Sequence, residues 1–228
     1  MSVHSAMGNG WRPRLTRRLL NTSRLAAILL VCTTWQSSSA VAADFSYRGG
    51  LVSPPLPKPK IVLTDTSGSS FDFLARTRGY VTLLFFGYTH CPDMCPLQMH
   101  VIAEALKQLP AASTKQFKVV FVTTDPARDT SQVLRTYLDG FDKTFIGLTG
   151  TQAAVDAAQT AAHLPVATRS AVRPDGSYDV GHAAFVVAYS KDGFAHVIYP
   201  IGVKLQDWVH DLPELASDTW GMKVEPPR

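Results

Sequence analysis

The run Val81–Tyr88 (VTLLFFGY) ends abruptly at a histidine and two cysteines, so that Phe85–Pro96 reads FFGYTHCPDMCP. A strand with one wet face alternates apolar and polar residues. This run does not, which suits a strand covered on both faces and therefore a sheet packed between layers. The residues that follow change period. Leu97, Val101, Ala105 and Leu109 recur at helical spacing over Pro96–Leu109, and Pro110 ends the pattern. The cysteines thus sit where a buried strand feeds a helix. Taken alone, the pair is open to three readings: a structural disulfide, a thiol redox centre, or part of a metal site.

The same alternation of strand and helix patterns continues along the chain. Phe117–Thr123 (FKVVFVT) predicts a second buried strand, Thr130–Leu138 a helix capped by Thr130 or Asp129, Phe145–Leu148 a short strand, and Thr151–Ala162 another helix. Ala184–Tyr189 and Ala195–Tyr199 read as strands joined at Lys191-Asp192-Gly193, and Leu205–Leu215 as a closing helix interrupted or bent near Pro213. Upstream, Ile61–Leu63 and Phe71–Phe73 flank Ser67-Gly68-Ser69 as an N-terminal hairpin. The class is α/β, with antiparallel strands near the end making the central sheet mixed and helices flanking it. A cysteine motif at a strand-to-helix junction narrows this towards a thioredoxin-like fold. The domain is expected over residues 60–217. A lead-in over 44–59, carrying Pro54, Pro55, Pro57 and Pro59, is read as extended and polyproline-like, and a loose tail is expected over 218–228.

Residues 1–43 have the three parts of an export signal. Arg12, Arg14, Arg17, Arg18 and Arg24 precede the first acidic residue, Leu25–Trp35 is apolar, and Ala40-Val41-Ala42-Ala43 offers a cleavage site. The apolar stretch is shorter than the roughly 20 residues of a membrane-spanning helix. A cleaved leader is preferred to an uncleaved anchor that would tether the protein to the inner membrane, and an exported, periplasmic location follows. Those five arginines also account for the basic balance. The formal charge is +4 with them and −1 without them, so attraction to nucleic acid has little support. Cys32 leaves with the leader, which gives Cys91 and Cys95 to a mature domain in an oxidising compartment.

The spacing of the pair carries chemical information. Residues i and i+4 share a helix face with Cβ atoms roughly 5–6 Å apart, which allows a disulfide or two sulfurs around one ion. A bridge across so short a loop restrains the unfolded chain only modestly, so stability is a poor reason for it. The helix N-terminus favours the thiolate form. Two soft sulfurs suit Cu(I) or Zn(II) but do not complete a structural zinc site, so a third ligand is worth seeking. Among seven histidines, His4 falls in the leader, His90 adjoins Cys91 and is expected in a loop or supporting role, and His100 lies one turn beyond the motif. His163, His196 and His210 lie apart from other polar clusters, whereas His182 stands immediately before the apolar run AFVVAY. Met99 is expected in the core and Met94 facing out of the loop; Asp93 is read as a helix cap. Asp125, ending the second buried strand, is read as capping the next turn in preference to supporting the site loop.

YTHCPDMCP, VVFVTTDPARDT (residues 119–130) and DVGHAAFVVAYSKDG (residues 179–193) together resemble the Sco/SenC family over roughly residues 54–215. The resemblance implies a thioredoxin-fold copper chaperone that assists assembly of the copper centre of cytochrome c oxidase. It implies copper as the bound ion and Cys91, Cys95 and His182 as its ligands. Implied partners are the copper-containing subunit of a respiratory oxidase and a periplasmic thiol reductant or copper donor. Many members carry an aspartate before the histidine where this chain has Gly181, which bears on how the imidazole is oriented. The alternative is a periplasmic thiol–disulfide oxidoreductase that uses Cys91 and Cys95 to reduce cysteines of the same subunit.

Overall fold

The computed structural model describes residues 46–217 and Trp220. The expected leader, and the tail past Ser217 apart from Trp220, lie outside the described residues. The elements run β1 (Gly50–Pro57), β2 (Val62–Asp65), β3 (Ser70–Asp72), α1 (Phe73–Arg76), β4 (Val81–Gly87), α2 (Met94–Lys107), α3 (Ala111–Thr114) and β5 (Phe117–Thr123). They continue with α4 (Ser131–Asp139), β6 (Ile146–Thr149), α5 (Gln152–Ala161), β7 (Thr168–Arg169), β8 (Val180–Gly181), β9 (Phe185–Tyr189), β10 (Phe194–Pro200) and α6 (Leu205–Ser217).

Eight strands form one mixed sheet in the order β1-β10-β9-β4-β5-β6-β2-β3, and β7 pairs with β8 as a separate ribbon. β4, β5 and β6 are parallel, while β9 lies antiparallel against β4. Every residue of β4 is buried, and the period of two sorts its side chains between two cores. Leu83 and Phe85 join Val119 and Phe121 beneath Met99, Ile102, Leu134, Leu138, Trp208 and Leu212 of α2, α4 and α6. Leu84 and Phe86 join Val120 and Val122 on the other face, beneath Phe73, Val155 and Ala158 of α1 and α5. This is the thioredoxin-like mixed sheet, flanked by helices, that the strand and helix patterns imply, and the β2–β3 pair is the N-terminal hairpin.

Three local expectations change. The prolines of the lead-in do not keep it out of the sheet: β1 is an edge strand pairing antiparallel with β10, where a missing N–H can face away from the ladder. α6 is not interrupted, since Pro213 lies inside a continuous helix whose Trp208, Leu212 and Leu215 are fully buried on either side of it. α2 begins at Met94, so Cys91 precedes the helix and Cys95 lies in its first turn. Thr130 caps α4 by accepting from the Val133 N–H, which leaves the Asp129 side chain free for another task. Trp220 stacks on His196 with centroids 4.1 Å apart and on Tyr47 at 5.1 Å.

Two registers position the site. Phe85 at the carboxyl end of β4 pairs with Val186 at the start of β9, so the chain entering β9 arrives where the chain leaving β4 departs. Gly87 pairs with Thr123 at the carboxyl end of β5, which brings the turn after β5 to the same edge. Crevices at the carboxyl ends of parallel strands are where α/β folds collect their sites.

Candidate metal centre

Cys91, Cys95 and His182 converge at this edge, and their ligand atoms all lie within 4.8 Å of one another. The two cysteines are free thiols, and both are buried. Cys95 is fully buried because Gly87, the last residue of β4, has no side chain to displace it. A Cβ at Gly87 would lie 3.0 Å from Cys95 Sγ, 2.9 Å from Phe85 Cε1 and 3.1 Å from Phe121 Cε2. The sulfur and the edges of two aromatic rings thus share the space that a side chain at Gly87 would take, and the rings stand 5.8 Å apart in an edge-to-face arrangement. Cys91 Sγ accepts a hydrogen bond of 3.4 Å from the Cys95 N–H, one of the unpaired donors of the first helical turn.

Burial at this edge favours the neutral forms of the candidate ligands Cys95 and His182. Burial pushes the Cys95 thiol well above its usual range, overriding the helix N-terminus that was expected to favour its thiolate. Burial also pushes His182 below the ordinary histidine value, against the raising effect of hydrogen bonding to Ala183 and Phe86 backbone groups. A neutral imidazole has one bare nitrogen, and the bonding says which. His182 Nδ1 lies 3.0 Å from the Ala183 carbonyl, which can only accept, so Nδ1 carries the proton. Nε2 is left bare, 3.4 Å from Cys95 Sγ, where it accepts from the thiol. The ring is wedged edge-on against Phe85 and Tyr88, with centroids 5.9 and 5.7 Å away. The Ala183 carbonyl supplies the orientation that an aspartate before the histidine would otherwise give, and Gly181 suits β8, since a Cβ there would lie 3.1 Å from Thr168 Oγ1. Two sulfurs and one nitrogen so placed form a donor set for one soft or borderline cation. The cation would also offset the charge that burial denies the thiolate.

The segment that delivers His182 is held by a polar clamp. Asp125, fully buried just past β5, accepts from Tyr178 Oη at 2.8 Å and Arg169 Nη2 at 3.0 Å, and pairs with Arg128 Nε. The Arg128 guanidinium lies over the Tyr178 ring, 3.7 Å from its centroid, and donates to the Tyr178 carbonyl at 3.2 Å. This corrects the reading of Asp125 as a turn cap. Its backbone carbonyl closes the turn to Arg128 and Asp129, while its carboxylate ties down the chain leading to His182. Asp129 does the same for the cysteine side, accepting from the Thr89 N–H at 2.9 Å, Thr89 Oγ1 at 2.6 Å and Thr123 Oγ1 at 2.6 Å. Asp93 occupies the N-cap position of α2, but its side chain makes no capping bond.

The remaining candidates separate as follows. Met99 is fully buried and Met94 is exposed. His100 and His163 are exposed. His196 pairs with Asp192 at 2.7 Å and His210 with Asp211 at 2.8 Å. The partners of Asp125, 44 and 53 residues further along the chain, were not read from the sequence; the only signal for them is the density of Arg, Asp and Tyr between Arg169 and Asp179.

Residues 58–217 match the SCO1/SenC family profile. The chain belongs to the SCO1/SenC family. A relative from Stutzerimonas stutzeri, named “Putative copper-binding protein”, is 35% identical over 162 residues, covering 70% of this chain and 77% of its own. Protein SCO2 of Saccharomyces cerevisiae mitochondria is 33% identical over 131 residues, which span 58% of this chain but only 43% of the yeast protein. Among solved structures, apo Sco1 from Thermus thermophilus is similar at a TM-score of 0.68 and 30% identity, covering 76% of this chain and 99% of that one. Bradyrhizobium japonicum ScoI with copper bound gives a TM-score of 0.62 at 29% identity, covering 70% and 99%. These SCO1/SenC structures share the mixed sheet described above. Among the described residues, no helix of this family member is long and apolar enough to cross a membrane.

Proposed function

We propose that this SCO1/SenC protein is an exported copper metallochaperone that binds one copper ion through Cys91, Cys95 and His182 and delivers it to the copper subunit of a respiratory oxidase. The observation that carries the reading is the convergence of two thiols and one imidazole within 4.8 Å, with the imidazole nitrogen bare and facing the sulfurs. The copper-bound relative from Bradyrhizobium japonicum supports copper as the ion. The arginine-rich, apolar and small-residue pattern of residues 1–43 supports export.

Copper is cargo in this reading, and the chain supplies its ligands. Loading releases the two thiol protons to solvent as the sulfurs bind, so metal occupancy lets the buried site hold thiolate. Oxidation of the pair to a disulfide would remove two electrons and two protons and abolish both sulfur ligands, so a thiol reductant in the same compartment is required. Delivery then proceeds by ligand exchange with thiolates of the client.

The rival reading makes the pair a thiol–disulfide oxidoreductase acting on the client's cysteines. Burial and a raised thiol at Cys95 weigh against it, because exchange needs accessible thiolate. The deciding experiment mixes the copper-loaded, reduced protein with the isolated copper domain of an oxidase subunit whose cysteines are already reduced. Copper moving to the client, leaving the donor dithiol reduced, supports the chaperone. Client cysteines reduced from the disulfide by copper-free protein, with no copper transfer in the first mixture, would support the oxidoreductase instead.

A further inference from the structure

Loading poses a problem of access. Both sulfurs are buried, with Cys95 at 0% exposure, whereas copper arrives from solvent or from a donor protein. His90 stands one residue before Cys91, its side chain about half exposed at 49%. It is not among the three converging ligands.

The hydrogen bonds around His90 determine its tautomer. The Asp129 carboxylate, fully buried, takes the hydroxyl protons of Thr89 and Thr123, each at 2.6 Å. A carboxylate receiving these donors only accepts, so the single Thr89 hydroxyl proton is committed to Asp129. Thr89 Oγ1 also lies 3.1 Å from His90 Nδ1, and with its own proton spent it can only accept there. Nδ1 therefore carries the hydrogen, and Asp129 Oδ1, 3.5 Å away, reinforces it electrostatically. Nε2 is left with a bare lone pair. A metal-binding histidine usually has its other ring N–H held by an oxygen acceptor, here the Thr89 hydroxyl that Asp129 orients. Among the described residues, no partner occupies His90 Nε2. His100 is also exposed, and among the described residues its ring makes no hydrogen bond to a carboxylate or hydroxyl, Glu104 acting on it only through space.

We propose that His90 is a landing ligand, taking copper through Nε2 at the protein surface and passing it inward to Cys91, Cys95 and His182. The step is ligand exchange without change of oxidation state. A bond from Nε2 to copper forms as one donor ligand leaves; bonds to the sulfurs then form, their protons pass to solvent, and the Nε2 bond breaks. Consecutive Cα atoms are about 3.8 Å apart, so an ion held on His90 stays tethered within side-chain length of the Cys91 backbone and its second capture is intramolecular. The proposal rests on the copper-binding reading above.

The test follows loading of the reduced protein from a copper–glycine chelate by stopped-flow absorption, beside His90→Ala and His100→Ala. We expect His90→Ala to load about tenfold more slowly, through the loss of effective concentration, with unchanged stoichiometry and final spectrum, and His100→Ala to match the parent. Equal rates for His90→Ala and the parent would overturn the proposal while leaving the three-ligand site intact. Failure of the parent to bind copper at the cysteines would overturn both. Nitrogen-15 NMR of the metal-free protein supplies a separate check: the His90 proton is expected on Nδ1, and a proton on Nε2 instead would overturn the proposal.

Discussion

The two sides of the candidate centre are built by different means. The sulfur side is core: Cys95 is fully buried in one cluster with Phe85 and Phe121 at the end of a strand buried on both faces, and moving it means repacking that cluster. The imidazole side is polar. His182 lies on an irregular segment after the short β7–β8 ribbon, and that segment is held to the sheet by Asp125, Arg128, Arg169 and Tyr178. Dense apolar packing fixes position through many small contacts, so damage there appears first as lost stability. A clamp of a few charge-assisted bonds fixes position with little buried area, so damage there appears first as lost ligand geometry.

The largest effect is expected on the packed side. Phe85→Ala removes a fully buried ring from the cluster that holds Cys95 and is expected to cost about 3–5 kcal/mol in denaturant unfolding. A loss below about 1 kcal/mol would mean that the sulfur side is not held by packing. On the clamp side, Asp125→Asn keeps the shape but weakens the pairing with both arginines and Tyr178. Copper affinity is expected to fall about 10–100-fold, as for other groups that orient metal ligands, while stability drops by about 1–3 kcal/mol. Unchanged affinity in a competition titration would erase the distinction between the two sides.

The smallest effect lies at the far end of β4. Lys58 is buried, donating to the Thr77 carbonyl and Thr82 Oγ1, each at 3.1 Å, and burial lowers its pKa to about 8. The folded state thus sheds this proton before the unfolded chain does, whose lysine titrates near 10.5. Its contribution to stability rises with pH through that window and is lost as pH falls through about 8, amounting to about 1 kcal/mol between pH 8 and 9. Subtracting the stability profile of Lys58→Met from that of the parent isolates it. A difference that is flat or falls over this range contradicts the assignment, and neither variant should alter copper binding.

Much of this architecture was readable in advance, for reasons that differ by element. β4 and β5 announce themselves because a strand buried on both faces must be apolar throughout, and the hairpin of β2 and β3 because Ser67-Gly68-Ser69 punctuates it. β1 was not readable as a strand. Its prolines speak against a ladder, and only the tertiary neighbour β10 makes an edge position available. The cysteines were legible as a pair from local spacing, whereas His182 became a candidate through family resemblance and its place before β9. The atoms that aim the ligands were invisible. The Ala183 carbonyl is a backbone group that any residue would supply, and Arg169 and Tyr178 reach Asp125 only because of the path the chain takes between β7 and β8. The raised Cys95 thiol was misread because a helix N-terminus is visible in a sequence and the tertiary burial that desolvates the sulfur is not.

The measurement that bears most directly on the three-ligand site is copper titration of the reduced protein beside His182→Ala and the Cys91→Ser/Cys95→Ser double variant. It would be followed through the sulfur-to-copper charge-transfer absorption and the Cu(II) spin-resonance signal. The predicted result is one copper per chain with sulfur charge transfer in the parent, the same stoichiometry with altered charge transfer and weaker binding in His182→Ala, and no tight site in the double variant. Parent protein that binds copper no more tightly than the double-cysteine variant would contradict the account.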